Sequence, residues 1–277
     1  MSDTEGVTQH VQGPTFKNPP VVETALSIQF NEIAGFNNTH FGLFHQAIKS
    51  DFPEVREQPR LDPVIERFPG PVFIGKPRFQ IENAVVPQRM WFVNKSDTEL
   101  IQIQPDRIMF NWRRKDDDSA YPRYAKNGPE CIKAYSSFIE FCETQQLNRP
   151  VPNLAEVAYV NHIVPRGGES VIDTFARSFV GLDWQATDDF LPSSPESALF
   201  NRVYVIGKNK GRLFAEASII PSRDSGGMVQ FKVTARIIHD DASGSVSDSL
   251  QLAHDWVVNG FVSLTSPEMH KIWEMKP

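Results

Sequence analysis

Residues 156–165 read EVAYVNHIVP, and this stretch decides the fold. Val157, Tyr159 and Ile163 fall on one side of an extended chain, Val160 and Val164 on the other. A strand apolar on both faces belongs in the interior of a sheet covered on both sides. The segments that follow Glu156–Pro165 also repeat, in kind and order, those that follow Val21–Phe30.

In the first half, Val22, Leu26, Ile28 and Phe30 alternate with Glu23, Ser27 and Gln29, the period of a half-buried strand. Asn37-Asn38-Thr39 offers a helix N-cap, and Phe41, Phe44, His45, Ile48 and Phe52 recur at helical spacing up to Pro53. Pro59–Pro77 is proline-rich and reads as a long loop, with a short edge strand around Val72–Ile74. Strands are expected at Arg78–Val86, Met90–Asn94, Leu100–Gln104 and Arg107–Trp112, the last two joined at Pro105-Asp106. A long helix follows over Pro129–Gln146, with Ile132, Tyr135, Ile139 and Cys142 on its buried stripe.

In the second half, Ser170–Val180 reads as a short helix. Leu199–Ile206 and Arg212–Ile220 flank Gly207-Lys208-Asn209-Lys210-Gly211, a hairpin signal. Met228–Ile238 alternates along its length. Ser245 and Asp248 form a capping box for a helix over Val246–Leu264, and Ser266-Pro267-Glu268 starts a last short helix. The expected class is α+β: two tandem β-α-β(3-4)-α repeats forming a curved, mainly antiparallel sheet with its long helices on one face. That topology resembles a helix-grip or TATA-binding-protein-like saddle. Residues 1–17 read as a disordered arm, 18–152 as the first half and 153–277 as the second.

With 277 residues, 40% hydrophobic and 22% charged, the chain can bury one large core or two coupled halves. A net charge of −6 argues against a sequence-independent grip on nucleic acid. Met1–Pro14 is polar, without the apolar run of a secretory leader, and no run approaches the ~20 residues of a membrane span. Cys131 and Cys142 lie on one helix roughly 16 Å apart, too far to pair. Two isolated thiols fit a reducing compartment, and the expected location is the cytoplasm, with no membrane partner.

Asn18-Pro19-Pro20-Val21-Val22-Glu23, the Gln104-Pro105-Asp106-Arg107 hairpin, Tyr159-Val160-Asn161-His162-Ile163 and Phe261-Val262-Ser263-Leu264-Thr265 after His254 occur in this order. Together they resemble the sporadically distributed TIGR family of uncharacterised prokaryotic proteins, over Asn18–Trp273. The resemblance implies a common fold and the scattered distribution of mobile or defence-linked genes. It supplies no activity and no catalytic residues.

No GxSxG, HExxH, Walker A, GxGxxG or CxxC pattern is present, so no catalytic residue, metal or cofactor is assigned. His40 and His45 are five apart, a poor spacing for ligands on one helical face. His239-Asp240-Asp241 reads as a strand end entering a turn. Asn161 and His162, a polar pair inside an apolar strand, must find hydrogen-bond partners, either in a structural network or at a ligand site that includes Tyr159. Opposite the helices, the sheet is expected to show Gln29, Gln104, Asn111, Arg113, Lys232, Thr234 and Arg236, with Glu23, Ser27 and Gln102.

Three readings of function follow. The first is a non-enzymatic binding or regulatory protein, acting through that face or the groove between halves on a protein partner or a second copy, in a toxin or defence gene cluster. The second is a small-ligand binder or enzyme with a pocket near Asn161 and His162, lined by Tyr159, Phe179 or Trp184. The third is a nucleic-acid saddle.

Overall fold

The alternation of Met228–Ile238 is realised residue for residue. Val229, Phe231, Val233, Ala235 and Ile237 are buried among helices, while Lys232 is exposed on the other face. The protein was examined as a computed structural model that describes residues 13–70, 89–116, 120–182, 190, 195–222, 226–240 and 242–276. Its elements are β1 (Thr15–Phe16), β2 (Val21–Phe30), α1 (Asn38–Ile48), β3 (Glu54–Gln58), β4 (Arg89–Val93), β5 (Glu99–Gln104), β6 (Arg107–Arg113) and α2 (Tyr124–Thr144). Then come β7 (Pro152–Ile163), α3 (Val171–Ser178), β8 (Leu199–Ile206), β9 (Gly211–Ile220), β10 (Met228–Ile238), α4 (Val246–Leu264), α5 (Pro267–Ile272) and β11 (Met275–Lys276).

The fold is α+β. Nine strands form one open antiparallel sheet in the order β3-β4-β5-β6-β2-β7-β10-β9-β8. At its centre β2 pairs with β7, with Ala25 opposite Ala158. β7, which carries residues 156–163 of the stretch EVAYVNHIVP, is therefore interior to the sheet; Val157, Tyr159 and Ile163 are buried, but on the other side Val160 is only half-buried and Val164, past the strand end, is exposed. Beyond it, β2 pairs with the last strand before α2, and β7 with the last strand before α4.

One face of the sheet carries α1 to α4. Leu26, Ile28, Phe30, Ile108, Phe110, Val157 and Phe231 are buried there against Phe44, Phe138, Phe175 and Phe261. Aromatic edges fill the layer: Phe44 meets Phe138 at 5.6 Å, and Phe179 meets Phe231 at 4.9 Å. Capping follows the sequence. Ser245 and Asp248 exchange both bonds of a capping box, and Asn37 caps α1 while His40 Nδ1 accepts from the Asn37 N–H at 3.1 Å.

Three elements differ from expectation. α2 starts five residues before Pro129, so that buried Asn127 donates to Thr24 Oγ1 at 2.9 Å and Gly128 leaves room for the Tyr124 ring. A Cβ at Gly128 would lie 3.0 Å from that ring. Glu54–Gln58, too polar to announce itself, forms the edge strand β3 against β4. Thr15–Phe16 of the expected arm is strand β1, paired with β11, because Phe16 buries its ring against Phe261 and Trp273. Residues 1–12, the strand expected at Arg78–Val86 and the edge strand at Val72–Ile74 lie outside the described residues.

The opposite face is largely covered in the first half of the sheet, while Lys232 in the second half is exposed. Residues 59–70 cross it as a strap. Gln104 donates to Leu61 O at 3.0 Å and accepts from Leu61 N–H at 3.1 Å; Gln29 does the same with Val64 at 2.9 and 2.8 Å. Each side-chain amide thus replaces the neighbour that a passing extended chain would have in a sheet. Further along, Glu66 pairs with Arg212, both side chains 4% exposed, and Arg212 also donates to Arg67 O and Gly70 O. Removing one partner of a buried ion pair leaves a charge without compensation and costs about 3–5 kcal/mol. Glu66→Ala is therefore expected to lower the unfolding free energy by about that amount in urea titration, and Glu66→Ala with Arg212→Met by clearly less.

Candidate functional site

Tyr159 lies on the helix-side face of β7 and its hydroxyl has two partners. Tyr121 donates to it at 2.9 Å, and it lies 3.1 Å from Nδ1 of His254 on α4. Burial lowers the His254 pKa to about 4, so the imidazole is neutral at neutral pH. Burial also raises the Tyr121 phenol to about 12 and the Tyr159 phenol well above its ordinary value. With the His254 ring proton assigned to Nε2, the three groups form one neutral chain, Tyr121 O–H to Tyr159 and Tyr159 O–H to Nδ1. The Tyr124 ring stacks on His254 at 4.0 Å and 9°, which fixes the imidazole plane.

These groups line a cavity of about 590 Å³ between the start of α2, the middle of α4 and residues 13–21. Its other walls are largely apolar: Pro14, Phe16, Pro19, Pro20, Val257, Val258 and Phe261. Asn161 also lines it and donates to Phe231 O at 3.0 Å, which satisfies the amide N–H inside the sheet. The volume and the few converging polar groups are those of a small-molecule site.

Arg123 sits at the boundary. It is the N-cap of α2 with φ 63° and ψ 165°, a region almost confined to glycine, and no side chain caps the helix there. Its guanidinium donates to Phe16 O at 2.9 Å, tying β1 to the start of α2.

The polar pair of β7 is split. Asn161 and His162 are successive residues of a strand and face opposite sides of the sheet, so they do not converge on one pocket. His162 is half-buried, 3.3 Å from Gln230 Nε2, its pKa lowered by burial, and it lines a second cavity. Phe179 belongs to the aromatic core, and Trp184 lies outside the described residues.

The expected partner surface is largely internal. Gln29, Gln104, Asn111 and Thr234 are buried, Gln29 and Gln104 beneath the strap. Gln102 accepts from Arg89 at 2.8 Å and donates to Asn111, which donates to Glu23 at 2.9 Å, a polar ladder across four strands. Arg113 bonds Asp97, and Arg236 bonds Glu156 at 2.6 Å. Of the set, Lys232 alone is exposed. The other described histidines are locally committed: His45 to Phe52 O at 3.0 Å, His239 to Ser249 Oγ at 2.9 Å and His270 to Thr265 Oγ1 at 2.9 Å. Both thiols are buried and unpaired, and burial pushes each up to about 12. His254, the centre of the site, had no signal of its own in the sequence. Its partners come from residues 121, 124 and 159.

No protein-family model, curated protein or solved structure matches the chain. Among the described residues no helix is long and apolar enough to cross a membrane.

Two outcomes are expected of this geometry. The folded His254 pKa, near 4, lies below the ordinary value near 6.5. As pH falls between these values the unfolded chain takes up a proton that the folded chain refuses, so stability declines over that window and this contribution stops changing below it. In NMR titration the His254 imidazole should stay neutral down to pH 5, and His254→Gln should make the decline in the urea midpoint shallower. At Arg123, alanine keeps the strained backbone while glycine relieves it. Arg123→Gly should be more stable than Arg123→Ala by about 1 kcal/mol or more in chemical denaturation.

Proposed function

We propose that the chain is a binding protein for a small organic molecule, held in the cavity of Tyr121, Tyr159, Asn161 and His254. The observation that carries this reading is the neutral Tyr121–Tyr159–His254 chain on the wall of a mostly apolar cavity of about 590 Å³. Neutral hydrogen-bonding groups among aromatic and proline surfaces favour a ligand with a flat apolar body and one or two polar edge atoms. The burial of the expected partner surface turns the reading toward this cavity and away from the sheet face. Its scaffold is a duplicated one in this proposal. Within the nine-stranded sheet, the first strand of each half pairs with the last strand before that half's long helix, and the two first strands pair with each other, which supports a tandem β-α-β-α origin.

The test is a fragment screen by two-dimensional NMR using aromatic and heterocyclic compounds. Hits should perturb the resonances of Tyr121, Tyr159 and His254. They should weaken at least tenfold in Tyr159→Phe and disappear in Ala125→Trp, where an indole at an exposed lining residue fills the space. No hits, or hits indifferent to Ala125→Trp, would remove the reading.

A further inference from the structure

A second cavity of about 580 Å³ adjoins the first, sharing Pro19, Pro20, Tyr121 and Arg123 with it. Its described lining contains Lys17, Arg114, Arg123, Arg166 and Arg177, and no carboxylate. Two of these cations are compensated from outside the cavity. Lys17 pairs with Glu274 at 3.0 Å, and Arg177 pairs with Glu169 and Glu268. Arg114, Arg123 and Arg166 meet no carboxylate among the described residues. Arg114 also holds its Nε buried with no hydrogen-bond partner among them. A buried guanidinium donor left unpaired carries a desolvation cost that a native structure ordinarily avoids. Three guanidiniums without a carboxylate line one hollow, Arg123 and Arg166 exposed and Arg114 half-buried, so like charges gather there, moderated by solvent, in a protein whose net charge is −6.

We infer that this second cavity binds the oxyanion head, carboxylate or phosphate, of a small molecule. An oxyanion supplies acceptors to several guanidinium donors at once, in the geometry their planar forks prefer, and it cancels the mutual repulsion. His162, whose pKa is lowered by burial, adds a neutral ring that presents a donor or an acceptor according to its tautomer. The cavity is of small-molecule size, which selects a discrete anion over a nucleic-acid backbone. The assignment rests on this cation set and stands whether or not the first cavity takes a ligand.

The experiment is calorimetric titration of the full chain with inorganic phosphate and, separately, with acetate, at ionic strength held constant with chloride. Saturable one-to-one binding of one of the two is expected. Binding of phosphate alone assigns a phosphate ester, and binding of acetate alone a carboxylic acid. Arg166 is exposed and makes no ion pair among the described residues, so Arg166→Gln should fold normally, with an unchanged thermal midpoint. It should weaken the anion at least tenfold, as should Arg114→Gln. Fragment binding in the first cavity should be unaffected by Arg166→Gln, which separates failure of one site from failure of the other. If neither anion binds better than chloride, or if both variants keep full affinity, the inference is overturned.

Discussion

The ladder between β2 and β7 is the constraint on which the rest of the molecule depends. It joins the two halves of the chain edge to edge, so strands from residues 21–113 and 152–238 become one sheet. The second half of β2, from Leu26 to Phe30, is buried on both faces. That double covering places a demand on each side of the sheet. On the helix side the demand is met with hydrocarbon: Leu26, Ile28, Ala155 and Val157 lie at the sheet centre with essentially no exposure. α2 and α4 each bring one apolar stripe to it.

On the other side the same demand is met with polar groups, and this is less usual. Gln29, Gln102, Gln104, Arg107, Asn111 and Arg212 are all buried there. Residues 59–70 supply peptide groups and Glu66 to Gln29, Gln104, Arg107 and Arg212, while Gln102 and Asn111 are held by Arg89, by each other and by Glu23. Burial lowers the Arg107 pKa, and its Nη2 still reaches Gln29 Oε1 at 2.6 Å and Asp62 O at 3.2 Å. A buried polar layer has fewer satisfactory arrangements than an apolar one, so it fixes the path of the strap.

That difference explains what the sequence could reveal. Leu199–Ile206 matches the structure to the residue because the turn Gly207-Lys208-Asn209-Lys210-Gly211 ends it, and Met228–Ile238 and Val246–Leu264 match to the residue because one face of each is apolar and the period is clear. The face opposite the helices misleads for the same reason. Gln29 and Gln104 follow the period of solvent-facing residues, and only a distant proline-rich segment turns them inward. β3 has no apolar alternation to read, being an edge strand of Glu54-Val55-Arg56-Glu57-Gln58. At the candidate site, Asn161 was legible as a polar group in an apolar strand, and Tyr159 as a residue lining a pocket beside it. His254 was not, because its importance lies in a stacked ring and a phenol that are 130 and 95 positions away. The pairing of Asn161 with His162 failed on strand geometry alone.

Both cavities lie where the central ladder runs out. β7 makes its last bond to the entering chain from His162 N–H to Pro20 O at 3.0 Å. Pro19 and Pro20 have no N–H to continue the pattern. The β2–β7 ladder therefore ends at that point while β7 stays paired with β10, and the Pro19-Pro20 segment becomes a wall shared by the two hollows. Here Tyr121 and Arg123 line both hollows and leave each one open. Arg123 does so from a backbone conformation that costs about 1–3 kcal/mol for any residue but glycine. Glycine would fit that backbone without strain, yet it could neither bond Phe16 O nor present a cation to the second hollow. The strained arginine is thus accounted for by what its side chain does: it holds β1 across the first cavity and contributes a positive charge to the second.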